Sequence, residues 1–358
     1  MRDIARYESA TLIGRGGFGS VYKATDADHG REVAIKVLQG SLGETERRRF
    51  DRERQTMGRL GGHPNIIPVY DSGYTAEGEG YIVMELATGG SLTERIQAEG
   101  PLPWDEAVTI MAAIANAADA AHQEGVLHRD IKPDNILIDN YGNPKLTDFG
   151  IAAVASNATA TTSTTATVAH AAPEVLQGHE STAAVDVYAV GSTLYNLIIG
   201  LPPFQRADDV GVAPIIKRAL IEPPPDLRAY GVPDPVARVA ERSLAKDLND
   251  RQPTAAQLAI DLAAAAAAAV MPDPVRPAPS SFTSAQTVAA VPPRFDTPGP
   301  PPPTAAPPPT PAPPPTPAPP PTPAPPPQAP STPHPPGPVP APQGYAQAAP
   351  QPPPPGNA

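Results

Sequence analysis

Short apolar-rich stretches bounded by turn signals occupy the first eighty-odd residues, after which the apolar positions take up a helical period. Thr11 to Ile13, Ser20 to Ala24, Glu32 to Val37, Val69 to Gly73 and Tyr81 to Leu86 read as strands, with turns at Gly14 to Gly19 and Asp26 to Gly30. In the third of these the alternation sets Lys36 on the face opposite Ile35 and Val37. Glu44 to Leu60 reads as a helix with Phe50, Glu53, Met57 and Leu60 on one face. Gly89-Gly90-Ser91 opens another, and from there the pattern is helical. Trp104 to Glu124 carries Val108, Met111, Ile114, Ala115, Ala118 and Ala121 at helical spacing, with Asp105 and Glu106 favouring its N-terminal dipole. Val185 to Ile199 is a more apolar helix, and a last one ends in Ala263 to Val270. One β-hairpin interrupts the helices: Ile136 to Ile138 and Lys145 to Thr147 flank a turn at Asn140 to Asn143.

Composition changes the picture only at the end of the chain. Of 54 prolines among 358 residues, about 38 follow Met271, and no Asp, Glu, Lys or Arg follows Asp296. Residues 301 to 327 repeat PPPTPA with a period of six, which favours polyproline II and cannot bury a core. The formal charge of −11 therefore belongs almost wholly to the first 270 residues, and an acidic folded part argues against a nucleic-acid binder. Without cysteine there is no disulfide framework and no thiolate zinc site. The N-terminus has no apolar core of signal-peptide length, and Leu262 to Met271 is too short to span a bilayer, so a cytoplasmic protein without a membrane span is expected.

The densest polar chemistry lies in His128 to Gly150, HRDIKPDNILIDNYGNPKLTDFG. The hairpin brings Asp130, Lys132, Asn135 and Asp148 into two neighbouring loops. A carboxylate and an amide oxygen suit Mg²⁺, an ammonium suits a transferring phosphoryl group, and a second carboxylate suits a hydroxyl proton. Upstream, Gly14-Arg15-Gly16-Gly17-Phe18-Gly19 would let backbone N–H groups approach phosphate oxygens. A dinucleotide-binding fold shows similar spacing but should enter a helix after the last glycine; here Val21 to Ala24 continues as a strand, favouring a flap. Lys36 needs a carboxylate to position it, and Glu53, charged on a buried-facing stripe, is the expected partner.

These motifs resemble the protein kinases: His128-Arg129-Asp130 with Asn135 resembles the catalytic loop, Asp148-Phe149-Gly150 the metal-binding loop, and Val33-Ala34-Ile35-Lys36 the strand that follows the flap. Over roughly residues 7 to 265 the chain resembles the bacterial Hanks-type Ser/Thr protein kinases. The resemblance implies an α+β bilobal fold: an antiparallel β lobe with one helix over about 7–87, a mainly helical lobe over about 88–270, then a disordered proline-rich tail over 271–358. It implies transfer of the γ-phosphoryl group of ATP to Ser or Thr hydroxyls of proteins, with Mg²⁺ or Mn²⁺. Asp130 and Lys132 would be catalytic, Asn135 and Asp148 metal ligands. ATP would lie under Gly14 to Gly19, beside Val21, Ala34, Lys36 and Glu53, with Met84, Glu85 and Ala87 at the adenine. His128 would pack with Phe149 and Met57; Asp186 would cap the catalytic loop; Glu174 would pair with Arg251.

Between Asp148 and Glu174 no periodicity supports structure, and the stretch is rich in hydroxyls: Thr159, Thr161, Thr162, Thr164, Thr165 and Thr167. The resemblance implies an activation loop, autophosphorylated in a transient homodimer, whose new charge would pair with Arg129. Arg47, Arg48, Arg49, Arg52 and Arg54 form either a solvated face or a site for that loop. Two positions depart from the family pattern: Ala166 stands where glycine is usual and His170 where tyrosine is. The tail reads as a semi-rigid spacer or as a strip for a groove-type binder. A small-molecule phosphotransferase and a catalytically inactive scaffold are the alternative classes.

Overall fold

The computed structural model describes residues 6–16, 19–149 and 165–270, with only the backbone for 49, 52, 53, 55 and 56. The chain divides into two units, Met1–Ser281 and Phe282–Ala358, and the second lies outside the described residues. In the first, strands β1 (Tyr7–Gly16), β2 (Gly19–Asp26), β3 (Arg31–Leu38), β4 (Val69–Tyr74) and β5 (Gly80–Glu85) form an antiparallel sheet in the order β1-β2-β3-β5-β4. β1 is longer than the expected Thr11 to Ile13, because irregular register between Glu8 and Thr11 and between Leu12 and Gly14 breaks its two-residue alternation.

β3 lies at the middle of the sheet and both its faces are covered. Val33, Ile35 and Val37 join a small cluster with Tyr7, Ala24 and Val83, while Ala34 and Leu38 face the main core. Lys36 shares that second face. Helix α1 (Glu44–Leu60) covers it by burying Phe50, Met57 and Leu60, and Phe50 meets the Tyr74 ring edge-on at 5.6 Å. Full burial of such side chains stabilises by about 1.5–3 kcal/mol each.

After β5 the chain is zipped to the larger lobe. Gly89 N–H donates to Ile138 O at 3.0 Å and Ile138 N–H to Gly90 O at 2.9 Å. A Cβ on Gly89 would stand 2.8 Å from Ile138 Cβ, so only glycine allows this approach. Ser91 and Glu94 then form a reciprocal capping box on α2 (Leu92–Glu99). The centre of the lobe is α3 (Trp104–Gln123), whose alanines Ala107, Ala115, Ala117, Ala118 and Ala121 are fully buried.

The hairpin pairs β6 (Ile136–Ile138) with β7 (Pro144–Leu146). β7 starts one residue before the expected Lys145 because Asp139 accepts from the backbone N–H groups of Tyr141 and Asn143, each at 2.8 Å, which closes the turn early. The stretch before Glu174 was expected to lack structure; instead α4 (Thr165–His170) and α5 (Pro173–Leu176) form. TATVAH has weak intrinsic helix propensity, so tertiary contacts hold α4. The remaining α-helices among the described residues are α6 (Ala183–Ile199), α7 (Ala213–Ile221), α8 (Asp234–Ser243) and α9 (Ala255–Val270). No described helix is long and apolar enough to cross a membrane.

The α5 segment is pinned to the lobe by a buried ion pair. Arg251 Nη1 and Nη2 donate to Glu174 Oε1 and Oε2, both at 2.8 Å, and Arg251 also donates to the carbonyls of Ala245 and Ala184. Because Arg251 is 1% exposed, removing it strands the Glu174 carboxylate in the interior. Arg251→Ala is expected to lower the unfolding free energy by about 3–5 kcal/mol in a denaturant titration; a loss under about 1 kcal/mol would contradict this account of the pair.

Candidate functional site

The site is built on loops whose backbone is held in unusual conformations. Arg129 has φ 67° and Asp148 has φ 69°, left-handed values that non-glycine residues adopt at a cost. The compensation at Arg129 is Asp186, in the first turn of α6 and 0% exposed. Its Oδ2 accepts from His128 N–H at 2.8 Å and from His122 Nε2 at 2.7 Å, and its Oδ1 accepts from Arg129 N–H at 2.8 Å. Burial works to raise the Asp186 pKa, but the His122 hydrogen bond and the two backbone N–H donors together lower it below the usual carboxylate range.

His128 is engaged at both ring nitrogens. Its Nε2 lies 2.7 Å from the Thr147 carbonyl, to which it must donate, and its Nδ1 accepts from Asp130 N–H at 3.2 Å. The ring meets Phe149 edge-on at 4.7 Å. One buried imidazole thus locks the loop carrying Asp130 to the loop carrying Asp148.

Four polar side chains then converge. Lys132 Nζ donates to Asp130 Oδ1 at 2.9 Å, to Asp130 Oδ2 at 2.8 Å and to Thr167 Oγ1 at 2.8 Å. Asn135 Nδ2 donates to Asp130 O at 2.7 Å and to Asp130 Oδ2 at 3.0 Å. Asp130, Lys132 and Asn135 are each at most 8% exposed. With its amide nitrogen turned to Asp130, Asn135 turns Oδ1 the other way. A hard amide oxygen and the Asp148 carboxylate make a donor set that fits Mg²⁺ or a similar divalent cation. Asp148 Oδ2 accepts from Lys36 Nζ at 2.6 Å.

The flap glycines stand where β1 meets β2, with Gly16 opposite Gly19 and Gly14 opposite Val21. A Cβ on Gly19 would lie 2.1 Å from Val37 O, so the close pairing of the start of β2 with the end of β3 requires glycine. Arg15 is exposed; Gly17 and Phe18 lie outside the described residues. Ala34 and Met84 face each other across β3 and β5, both buried, and Thr147 Oγ1 donates to Met84 Sδ at 3.7 Å. Glu85 and Ala87, at and just beyond the end of β5, are partly buried, and Glu85 N–H donates to Pro68 O at 3.0 Å.

The proposed pairing of Lys36 with Glu53 lies outside the described side chains, as do Arg49 and Arg52, and Thr159, Thr161, Thr162 and Thr164 lie outside the described residues. Thr165 is exposed at the start of α4. Of the other helix arginines, Arg48 pairs with Glu44, Arg54 donates to Ser72 O, and Arg47 donates to Leu42 O and stacks on Tyr74. Sequence reasoning did not single out His122; its signal was a polar residue four positions after Ala118, at the end of the buried stripe of α3. The contacts of His170 were also missed. Its Nδ1 lies 2.9 Å from Ser192 Oγ, and its pKa is lowered to about 3 by burial and by the charge of Lys132, against a hydrogen bond with Asn196 that raises it.

The comparisons with known proteins agree with this geometry. The description "Protein kinase domain" matches residues 7–260. The serine/threonine-protein kinase PknK of Mycobacterium tuberculosis is 42% identical over 259 residues, covering 72% of this chain and 23% of that protein. The serine/threonine-protein kinase PrkC of Bacillus subtilis is 41% identical over 262 residues, covering 72% of this chain and 40% of that protein. The chain thus spans less than half the length of these relatives. The crystal structure of the M. tuberculosis PknI kinase domain superposes with a TM-score of 0.58 at 29% identity, covering 74% of this chain and 98% of that one. Matched over most of its described residues in sequence and in fold, the chain belongs to the protein kinase domain family.

Proposed function

We propose that the protein transfers the γ-phosphoryl group of ATP to Ser or Thr hydroxyls of proteins. The observation that carries this reading is the hydrogen-bonded group of Asp130, Lys132, Asn135 and Thr167, set beside the Lys36–Asp148 pair. Asp130 orients the acceptor hydroxyl and takes its proton as the new O–P bond forms. The bond from the γ-phosphorus to its bridging oxygen breaks, and ADP leaves with that electron pair. Lys132, held by Asp130 and Thr167, offsets negative charge on the phosphoryl oxygens in flight.

Asn135 Oδ1 and the Asp148 carboxylate would hold Mg²⁺, or Mn²⁺ in its place. The bound ion supplies charge neutralisation on the phosphate oxygens. Lys36 reaches the α- and β-phosphates beneath the Gly14 to Gly19 flap, with Glu53 as the carboxylate that positions it; Val21, Ala34 and Met84 line the adenine end, and backbone groups of Glu85 and Ala87 bind its edge. Lys132 and Thr167 favour Ser/Thr acceptors over Tyr. Autophosphorylation of Thr residues between 159 and 167, within a transient homodimer, would add charge for the exposed Arg129 to pair with. The proline-rich tail after residue 270 is read as a spacer or as a strip for an aromatic-lined groove. None of Lys36, Asp130 and Asp148 is missing from the sequence, which disfavours an inactive scaffold.

Removing one preorganised electrostatic group from such a site typically costs about 3–4 kcal/mol of transition-state stabilisation. Asp130→Asn is expected to lower phosphorylation of a protein substrate by at least hundreds-fold in a radiolabel assay, with an unchanged circular dichroism spectrum; near-normal turnover would refute the assignment. Chelating divalent cations should abolish transfer by the wild-type protein, and adding Mg²⁺ back should restore it. Full activity in excess chelator would remove Asn135 and Asp148 from the metal-binding role.

A further inference from the structure

We infer that His170 is a positioning residue: by fastening α4 to α6 it holds Thr167 where Lys132 can donate to it, and so sets the place of the Lys132 ammonium at Asp130. The inference rests on the proposed phosphoryl transfer and concerns a residue that does not itself touch the reacting atoms.

The stretch from Thr167 to Glu174 is held at three points. At one end Thr167 Oγ1 accepts from Lys132 Nζ at 2.8 Å, and at the other Glu174 takes both guanidinium donors of Arg251. Between them stands His170, 6% exposed, whose Nδ1 meets the wholly buried Ser192 Oγ at 2.9 Å. Asn196, one turn further along α6, also hydrogen-bonds the ring. A six-residue helix with a Thr-rich sequence does not hold itself in place. Its neighbour Ala169 is buried, but alanine offers no directional contact. The imidazole supplies a direction-specific tie between α4 and the helix beneath it.

The chemistry of the ring fits the position. Burial and the nearby Lys132 charge keep it unprotonated across the physiological range, so it adds no positive charge to repel Lys132. A neutral ring carries one donor and one acceptor nitrogen, enough to engage both a hydroxyl and an amide of α6. The same α6 supports the other side of the site: Thr193 Oγ1 donates to Ile131 O at 3.2 Å, next to Lys132. His170 therefore ties the Thr167 segment to the helix on which the Lys132 loop also rests.

The test compares the wild-type protein with His170→Ala, His170→Asn and Ser192→Ala. Asn places a polar atom near the position of Nδ1 and should keep the tie to Ser192. We expect His170→Ala and Ser192→Ala to lower kcat for a peptide substrate at least ten-fold with KM for ATP within two-fold, and His170→Asn to recover most of that loss. Crystal structures of wild type and His170→Ala should show Thr167 Oγ1 leaving hydrogen-bond distance of Lys132 Nζ in the variant only. The inference is overturned if His170→Ala turns over like wild type, if ATP affinity falls in step with kcat, if Asn does no better than Ala, or if the Lys132–Thr167 contact survives in the variant crystal. The crystallographic comparison stands even where no transfer is seen; a wild type inactive on every peptide would count against the proposed function, not against the tie.

Discussion

One buried carboxylate carries the geometry of this protein. Asp186 projects from the first turn of α6 into a site with no exposure and divides its oxygens among two backbone N–H groups and the His122 ring. Those N–H groups belong to His128 and Arg129, and Arg129 stands in the left-handed region. Such a conformation costs on the order of 1–3 kcal/mol and persists only when its surroundings over-determine it. Charge-assisted hydrogen bonds to a desolvated carboxylate are strong enough to do so. The resulting bend lets His128 face inward to Thr147 and Phe149 while Asp130, two residues on, faces Lys132 and Asn135. Without Asp186 the bend has no partner for its N–H groups, and the convergence behind it has no fixed frame.

The second constraint is the joining of the two lobes. Lys36 sits on a strand buried on both faces, yet its ammonium reaches across to Asp148 on the other lobe. The alignment is secured from two sides of the hairpin. Gly89 and Gly90 pair with Ile138 on β6, and Leu146 on β7 exchanges backbone hydrogen bonds with Asn65 and Ile67, just after α1. The hairpin between Asn135 and Thr147 is therefore the strut to which the sheet, the connection between lobes and the side chains of Asn135 and Asp148 are all attached.

Much of this was legible in the sequence, for physical reasons that vary along the chain. Helix α1 was readable end to end because its apolar residues keep a strict helical spacing, and β3, expected over Glu32 to Val37 and formed over Arg31–Leu38, because it is a short Val- and Ile-rich run. β1 was seen only in its middle, since its register shifts hide the two-residue period. The start of β7 was missed by one residue because the capture of two backbone N–H groups by Asp139 is a tertiary detail of the turn. α4 was not seen at all: four of its six residues, two Thr, a Val and a His, are weak helix formers, and it is tied by a histidine to a helix that begins thirteen positions later. His122 carried no motif, and its importance lies in a partner 64 residues away. Local pattern shows what each segment favours alone; contacts such as these arise only once the segments are packed.

The account's central claim is that Asn135 and Asp148 present oxygen ligands to one divalent cation beside Asp130. The most direct measurement is a crystal structure of the protein with a nonhydrolysable ATP analogue and Mg²⁺. The account predicts Asn135 Oδ1 and an Asp148 carboxylate oxygen on the ion at about 2.0–2.1 Å, with Lys36 on the phosphates. A bound nucleotide and ion with both side chains turned away would contradict it.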